Sequence, residues 1–167
     1  MQRGLTAFVP SLFLLLPKIS ENIALVKDAA DKKEILISFT VADDISVFAD
    51  ENMLGGVLRN LLNNAVKFTA KGGVIIISAR INSDHLVEIS VRDTGIGMNK
   101  NLIDNLFHLD INTSRKGTDG ESSTGLGLMI SKDFIEKNGG KLSIESHEGV
   151  GSVFYFTVPT RGELEEK

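Results

Sequence analysis

Apolar residues recur at helical spacing twice in the first half of the chain. Leu12, Leu15, Leu16, Ile19, Ile23, Val26 and Ala30 predict a helix over residues 11–30, bent or restarted at Pro17. Leu54, Val57, Leu58, Leu61, Leu62 and Ala65 predict a second, long helix, with Asp50 as its N-cap. On another face of that helix Asn60, Asn64 and Lys67 fall at i, i+4 and i+7. Gly55 and Gly56 interrupt it, at about 1 kcal/mol each against alanine. Gly56 is one turn before Asn60, so it either leaves room for something bulky or permits close packing on a neighbouring helix.

Strand patterns account for much of the rest. Residues 34–39 read as a strand and Val47-Phe48 as a short one. Residues 74–81 and 86–91 read as an antiparallel hairpin across the turn 82–85. A short helix is expected over 99–107. Residues 110–124 are polar apart from Ile111 and contain Gly117 and Gly120, the pattern of a mobile loop. Residues 127–138 read as a helix stopped by Asn138-Gly139-Gly140 in the manner of a glycine C-cap. Residues 141–146 and 152–158 make a last hairpin. This order predicts an α/β fold, a two-layer sandwich of a mixed, mostly antiparallel sheet with helices on one face.

The apolar run over residues 8–16 contains Pro10, is closed by Pro17, and is far shorter than the roughly 20 residues a bilayer span needs. No convincing signal-peptide cleavage site follows it. It reads as a docking or core segment, and exposed it would be a sticky patch suited to a partner.

Length and composition fit one soluble globular domain with a sizeable core. A net charge of −4 provides no polybasic field for nucleic acid. The absence of cysteine excludes disulfides and thiolate chemistry. His85, His108 and His147 are scattered without metal-ligand spacing.

Three polar segments carry the candidate chemistry. The carboxamide oxygens of Asn60 and Asn64 are hard ligands suited to Mg²⁺, and Lys67 suits phosphate. Asp93-Thr-Gly-Ile-Gly97 is a glycine-rich turn able to take a nucleotide base. Gly125-Leu-Gly-Leu128 opens a helix whose free N–H groups bind phosphate well. It lacks the Gly-Lys-Ser/Thr of a P-loop and the spacing of a dinucleotide fingerprint. In sum the segments read as a nucleotide site.

The same segments resemble the ATP-binding domain of sensor histidine kinases, within the Bergerat fold shared with gyrase, the mismatch-repair ATPase and the large heat-shock chaperone. Asn60-Leu-Leu-Asn-Asn64-Ala-Val-Lys67-Phe-Thr69 looks like the N box. Asp93-Thr-Gly-Ile-Gly97 looks like the G1 box, Leu106-Phe107-His108-Leu109 stands at a degenerate F box, and Thr124-Gly-Leu-Gly-Leu128 looks like the G2 box. Residues 149–159 look like the closing strand. The resemblance covers roughly residues 20 to 159, in family order and spacing.

The resemblance implies a set of roles. Asn64 would ligate Mg²⁺, with Asn60 assisting the metal or its water, and Lys67 would neutralise phosphate; Lys67 also fits an ordinary lysine at a helix C-terminus. Asp93 would accept from the adenine amino group, which selects ATP over GTP, while Gly95 and Gly97 let the backbone approach the base. Thr124, Gly125, Leu126, Gly127 and Leu128 would cradle phosphates, and Arg115 would close over them, although a loop arginine also fits simple solvation. Phe68 stands where many members have tyrosine and cannot donate a hydrogen bond. Asn60 stands where hydrolytic relatives carry a glutamate, so rapid hydrolysis is not expected.

No histidine lies in an acceptor-like box, which implies transfer to a histidine on a separate dimerisation domain, with a response regulator downstream. Residues 1–19 would then be the junction to that domain, 20–160 the ATP-binding domain and 161–167 a charged tail. The parent would be a dimer, cytoplasmic at this domain and anchored to a membrane. Other readings are a binding module of the same fold without kinase activity and an anti-sigma-type serine kinase. A homodimeric aspartic protease is a further one. Its Asp-Thr-Gly turn must occur twice, with a small residue after the glycine; here there is one turn, followed by Ile96.

Overall fold

The structure, a computed structural model, describes residues 7–107, 117–120 and 126–160. Among the described residues the chain runs β1 (Pro10–Leu14), α1 (Leu15–Lys32), β2 (Leu36–Thr40), β3 (Ser46–Asp50), α2 (Glu51–Phe68), β4 (Val74–Ile81), β5 (Leu86–Asp93), α3 (Lys100–Asn105), α4 (Leu126–Lys137), β6 (Leu142–His147) and β7 (Gly151–Pro159).

The main sheet has the order β2-β4-β5-β7-β6. β2 is parallel to β4 and every other neighbouring pair is antiparallel. The closing strand β7 is therefore interior, filed between β5 and β6. Alternation along the strands decides which face is buried. Ile75 and Ile77 of β4, Val87, Ile89 and Val91 of β5, and Phe154, Phe156 and Val158 of β7 belong to one core with Leu58, Leu61, Leu62 and Ala65 of α2. On the opposite face Ser78 and Ser90 share a hydrogen bond at 2.7 Å, Arg80 pairs with Glu88, and Tyr155 donates to Glu145 at 2.9 Å. A polar outer face and an apolar helix-covered one make the two-layer sandwich that the sequence predicts.

The start of the chain differs from expectation. Residues 10–14 form a strand paired antiparallel with β3, from Pro10↔Asp50 to Leu14↔Ser46, and the helix begins only at Leu15. Phe13 packs against the core while Leu12 and Leu14 point outward, a period of two inside a run that also satisfies helical spacing. The carboxylate of Asp50 accepts the Val9 N–H at 2.8 Å and anchors the strand. Pro17 then falls in the first turn of α1, where an N–H has no intrahelical partner, and so neither kinks nor restarts it.

Local signals fix the other ends. Asn99 caps α3 by accepting the Leu102 N–H at 2.8 Å. Gly139, with φ of 84°, ends α4 in a Schellman turn: the Gly140 N–H reaches Ile135 O at 2.9 Å and the Gly139 N–H reaches Glu136 O at 3.0 Å.

Candidate nucleotide site

α2 is the spine of the site. Asp50 caps it by accepting the Met53 N–H at 3.1 Å, and its apolar stripe faces the sheet. That orientation leaves Asn60, Asn64 and Lys67 half-buried along another face. The Asn60 amide donates to Gly127 O at 3.2 Å and to Ser131 Oγ at 3.1 Å, both on α4. The N-box and G2-box segments are thus in direct contact. Both amide hydrogens of Asn60 are committed to α4, so its Oδ1 is the atom left for a ligand. Among the described residues the Asn64 carboxamide makes no hydrogen bond and the Lys67 ammonium no ion pair.

Gly56 faces Phe134 of α4: a Cβ there would lie 3.8 Å from the ring, and one at Gly55 would lie 3.7 Å from the Lys18 side chain. Of the two readings of Gly56, packing on a neighbouring helix is the one realised.

The C-terminal end of α2 meets the G1 turn. The Ile96 N–H donates to Phe68 O at 3.0 Å. Asp93, 7% exposed, is the last residue of β5 and accepts through Oδ1 from Gly95 N–H at 2.8 Å and Ser152 N–H at 3.3 Å. Two backbone donors on one oxygen hold the carboxylate in a fixed pose. A Cβ on Gly95 would strike Phe68 O, and one on Gly97, whose φ is 68°, would strike His147 O. The space these two glycines clear is filled by the backbones of Phe68 and His147.

The last hairpin braces the turn from the other side. Gly149 N–H donates to Ile96 O at 2.8 Å, and Met98 N–H to Ser146 Oγ at 2.8 Å. Thr118 docks on the end of α2, its N–H donating to Lys67 O at 2.9 Å and its hydroxyl to Thr69 O at 3.1 Å.

Asn60, Asn64, Lys67, Asp93, Gly95, Gly97 and Gly127 therefore lie on segments in mutual contact. Leu126 is exposed at the start of α4 and Leu128 is buried beneath it. Arg115, Thr124 and Gly125 lie outside the described residues, as do His108 and Leu109 of the F box and most of the loop over 110–124. Phe107 packs against the core with the Lys132 ammonium 5.9 Å from its ring centre. Sequence reasoning missed Ser131, Ser146, Ser152 and Thr118. Ser131 was findable, since it lies one turn after Gly127 on the same helix face; the others depend on hairpin register and loop placement.

Among the described residues no cluster of three or more His, Cys, Asp or Glu could hold a metal. Mg²⁺ does not require one, because it keeps several waters and takes one or two protein oxygens beside phosphate. The uncommitted Asn64 carboxamide and the Asn60 Oδ1, one helical turn apart, fit that donor set.

Among the described residues no helix is long and apolar enough to cross a membrane. Residues 49–162 match the family model for histidine kinase-, DNA gyrase B- and HSP90-like ATPases. Sporulation kinase E of Bacillus subtilis is 34% identical over 149 residues, which are 88% of this chain and 19% of that protein. The chain thus spans about a fifth of that relative's length. The catalytic domain of histidine kinase ThkA superposes with a TM-score of 0.78 at 29% identity, covering 95% of this chain and 100% of that one. ThkA in complex with the response regulator protein TrrA gives a TM-score of 0.75 at 28% identity, covering 92% of this chain and 42% of that one. With four boxes in order, two of them joined through Asn60 and Gly127, the chain belongs to the histidine kinase-, DNA gyrase B- and HSP90-like ATPase family, as an ATP-binding catalytic domain of the sensor histidine kinase type.

Proposed function

We propose that the domain holds Mg²⁺-ATP between α2, the 93–97 turn and the start of α4. It supplies the γ-phosphate to a histidine on a separate dimerisation domain, and a response regulator receives the phosphoryl group next. The observation that carries this reading is the contact of Asn60 with Gly127, which sets the metal-suited face of α2 beside the phosphate-suited start of α4.

Each residue then has a task. Asn64, with the Oδ1 of Asn60, would hold a magnesium ion, which would supply positive charge beside the phosphates. Lys67 draws in phosphate as a point charge. Asp93 accepts the adenine amino hydrogens from a fixed carboxylate. Asn60 cannot remove a proton from water, so hydrolysis is slow and the phosphate awaits a better nucleophile. His85 sits in the β4–β5 turn and His147 at the end of β6, neither on a helix that could present it to the site. Arg115, Thr124 and Gly125 complete the phosphate contacts in this reading. The family match and the relatives favour neither the protease reading of Asp93 nor the anti-sigma serine kinase.

The test uses ATP labelled on the γ-phosphate. The chain alone should bind it and incorporate little label. Adding a dimerisation hairpin carrying an acceptor histidine should place acid-labile phosphate on the hairpin. Acid-stable, stoichiometric label on this chain alone would overturn the reading. Binding without transfer to any acceptor would leave a nucleotide-binding module of the same fold.

A further inference from the structure

Lys33 follows α1 and is 4% exposed, an uncommon place for a lysine. Its ammonium donates to Val66 O at 2.8 Å and to Lys67 O at 3.1 Å, the last carbonyls of α2. Its own carbonyl accepts the Gly72 N–H at 2.8 Å, and Leu36 N–H donates to Gly73 O at 3.0 Å. One residue thereby ties the end of α1, the end of α2 and the turn after it. The last carbonyls of a helix lack intrahelical partners and carry the negative end of its dipole. A buried ammonium there answers both, through charge-assisted hydrogen bonds about twice as strong as neutral ones.

The carbonyl of Lys67 has a second guest, the N–H of Thr118 at 2.9 Å. The next carbonyl, that of Phe68, seats Ile96 of the G1 turn. Three consecutive carbonyls, at 66, 67 and 68, therefore receive the Lys33 ammonium, the N–H of Thr118 and the N–H of Ile96 in the 93–97 turn. A methionine would fill the volume of Lys33 without the cost of burying a charge.

We propose that Lys33 is a positioning residue for nucleotide binding: its buried ammonium fixes the carbonyl end of α2, on which Thr118 docks and from which Lys67 reaches toward phosphate. The role of Lys67 rests on the function proposed above; the docking of Thr118 does not.

Lys33→Met and Lys33→Gln in the whole chain test the proposal, with amide hydrogen exchange at Thr118 and ATP affinity as readouts. Exchange at Ile89, in the middle of β5, reports global opening. In Lys33→Met the protection of Thr118 should fall by about tenfold or more beyond any change at Ile89. ATP affinity should fall by a similar factor, and Lys33→Gln, whose amide can still donate to a carbonyl, should recover part of both. Thr118 protection that is unchanged, or lost only in step with Ile89, or ATP affinity that is unchanged in Lys33→Met, would overturn the proposal. Should Lys33→Met fail to fold, Lys33→Gln is scored against the same criteria. Asn64→Ala separates the two readings, since it leaves the carbonyl end of α2 intact. Full ATP affinity in Asn64→Ala would count against the nucleotide site as drawn, while Thr118 exchange would still decide whether Lys33 holds the carbonyl end of α2.

Discussion

Asn138 accepts the backbone N–H of Asp50 at 2.8 Å, across 88 residues of chain. Asp50 caps the start of α2 and holds Val9 at the head of β1; Asn138 closes the end of α4 by donating to Phe134 O at 2.7 Å. Ten residues along α2, Asn60 meets Gly127 near the start of α4. The two helices therefore run antiparallel, and α4 is tied to α2 near both of its own ends. The tie at Asn60 lies on the face that the proposed function assigns to nucleotide; the tie at Asp50 joins the start of α2 to the end of α4.

The Asp50–Asn138 tie uses the backbone N–H of residue 50, so truncating the two side chains should act through separate hydrogen bonds. Asp50→Ala should cost about 1–2 kcal/mol through loss of the cap. Asn138→Ala should cost about 1–3 kcal/mol by stranding a buried N–H. In the double variant the two costs should add to within about 0.5 kcal/mol, because alanine at 50 keeps the N–H that Asn138 accepts. Urea unfolding of the four proteins measures this, and a shortfall from additivity well beyond that would contradict it.

The two glycines inside α2 should be replaceable. The contacts a Cβ would meet there, at 3.7 and 3.8 Å, are ordinary packing distances. Gly55→Ala and Gly56→Ala should each raise stability by up to about 1 kcal/mol. Gly140→Ala should do the reverse, because its Cβ would run into Thr157 O. Melting temperatures rank the three, and a destabilised Gly56→Ala would mean that Phe134 cannot accept even a methyl group.

Much of this was legible in the sequence, for physical reasons. The cap at Asp50, the glycine stop at Gly139 and the turn at 82–85 are local signals that nothing in the tertiary structure overrides. The alternation in β4, β5 and β7 fixed which face they bury. The segment 10–14 was not legible, because Leu12, Leu15, Leu16 and Ile19 fit helical spacing as well as they fit a strand followed by a helix. Only the pairing with β3 decides it. The candidate site was legible as residue types on three segments. What those residues touch was not: Gly95 and Gly97 make way for Phe68 and His147, and Asn60 spends its amide hydrogens on α4. Lys33 and Ser146 carried no signal at all, being single polar residues whose partners lie far along the chain.

Base selection should follow from Asp93. In Asp93→Asn the amide oxygen can still accept from Gly95 and Ser152, so the turn should keep its shape. The amino end would then offer donors where the adenine amino group requires an acceptor. ATP affinity should fall by about 1–3 kcal/mol, and the preference for ATP over GTP should shrink. Calorimetric titration of both proteins with both nucleotides decides it; equal affinity of the unaltered chain for ATP and GTP would contradict the assignment.

Asn64 and Asn60 should separate by what else they hold. Asn64→Ala removes a carboxamide with no partner among the described residues, so it should weaken ATP binding in the presence of Mg²⁺ and leave stability nearly unchanged. Asn60→Ala should have a milder effect on Mg²⁺-dependent binding but lower stability by about 1–2 kcal/mol, since Gly127 O and Ser131 Oγ lose a donor. Titrations with and without Mg²⁺, beside urea unfolding, read both quantities. Equal loss with and without the metal would mean that this helix face touches nucleotide directly.

The β1–β3 ribbon should matter to phosphoryl transfer and not to ATP binding. Its outward face carries Leu12 at 50% exposure and Leu14 at 48%, with Phe8 and Val9 exposed just before it. The register sets Leu12 opposite Phe48 and Leu14 opposite Ser46, so the two leucines share one face of the ribbon with Phe48. In the proposed function this patch is part of the surface that the dimerisation domain meets. Leu12→Glu and Leu14→Glu place charges at solvent-facing positions, where folding should change by less than about 0.5 kcal/mol. At an interface each would put an unpaired charge against apolar surface and should weaken the encounter by about 2 kcal/mol or more. Transfer of labelled phosphate to an added hairpin should therefore fall at subsaturating hairpin and recover as the hairpin is raised, with ATP affinity constant throughout. Transfer that is unchanged at every hairpin concentration would remove the ribbon from the interface; transfer that falls together with ATP affinity would mean that the substitutions act through Asp50 and α2.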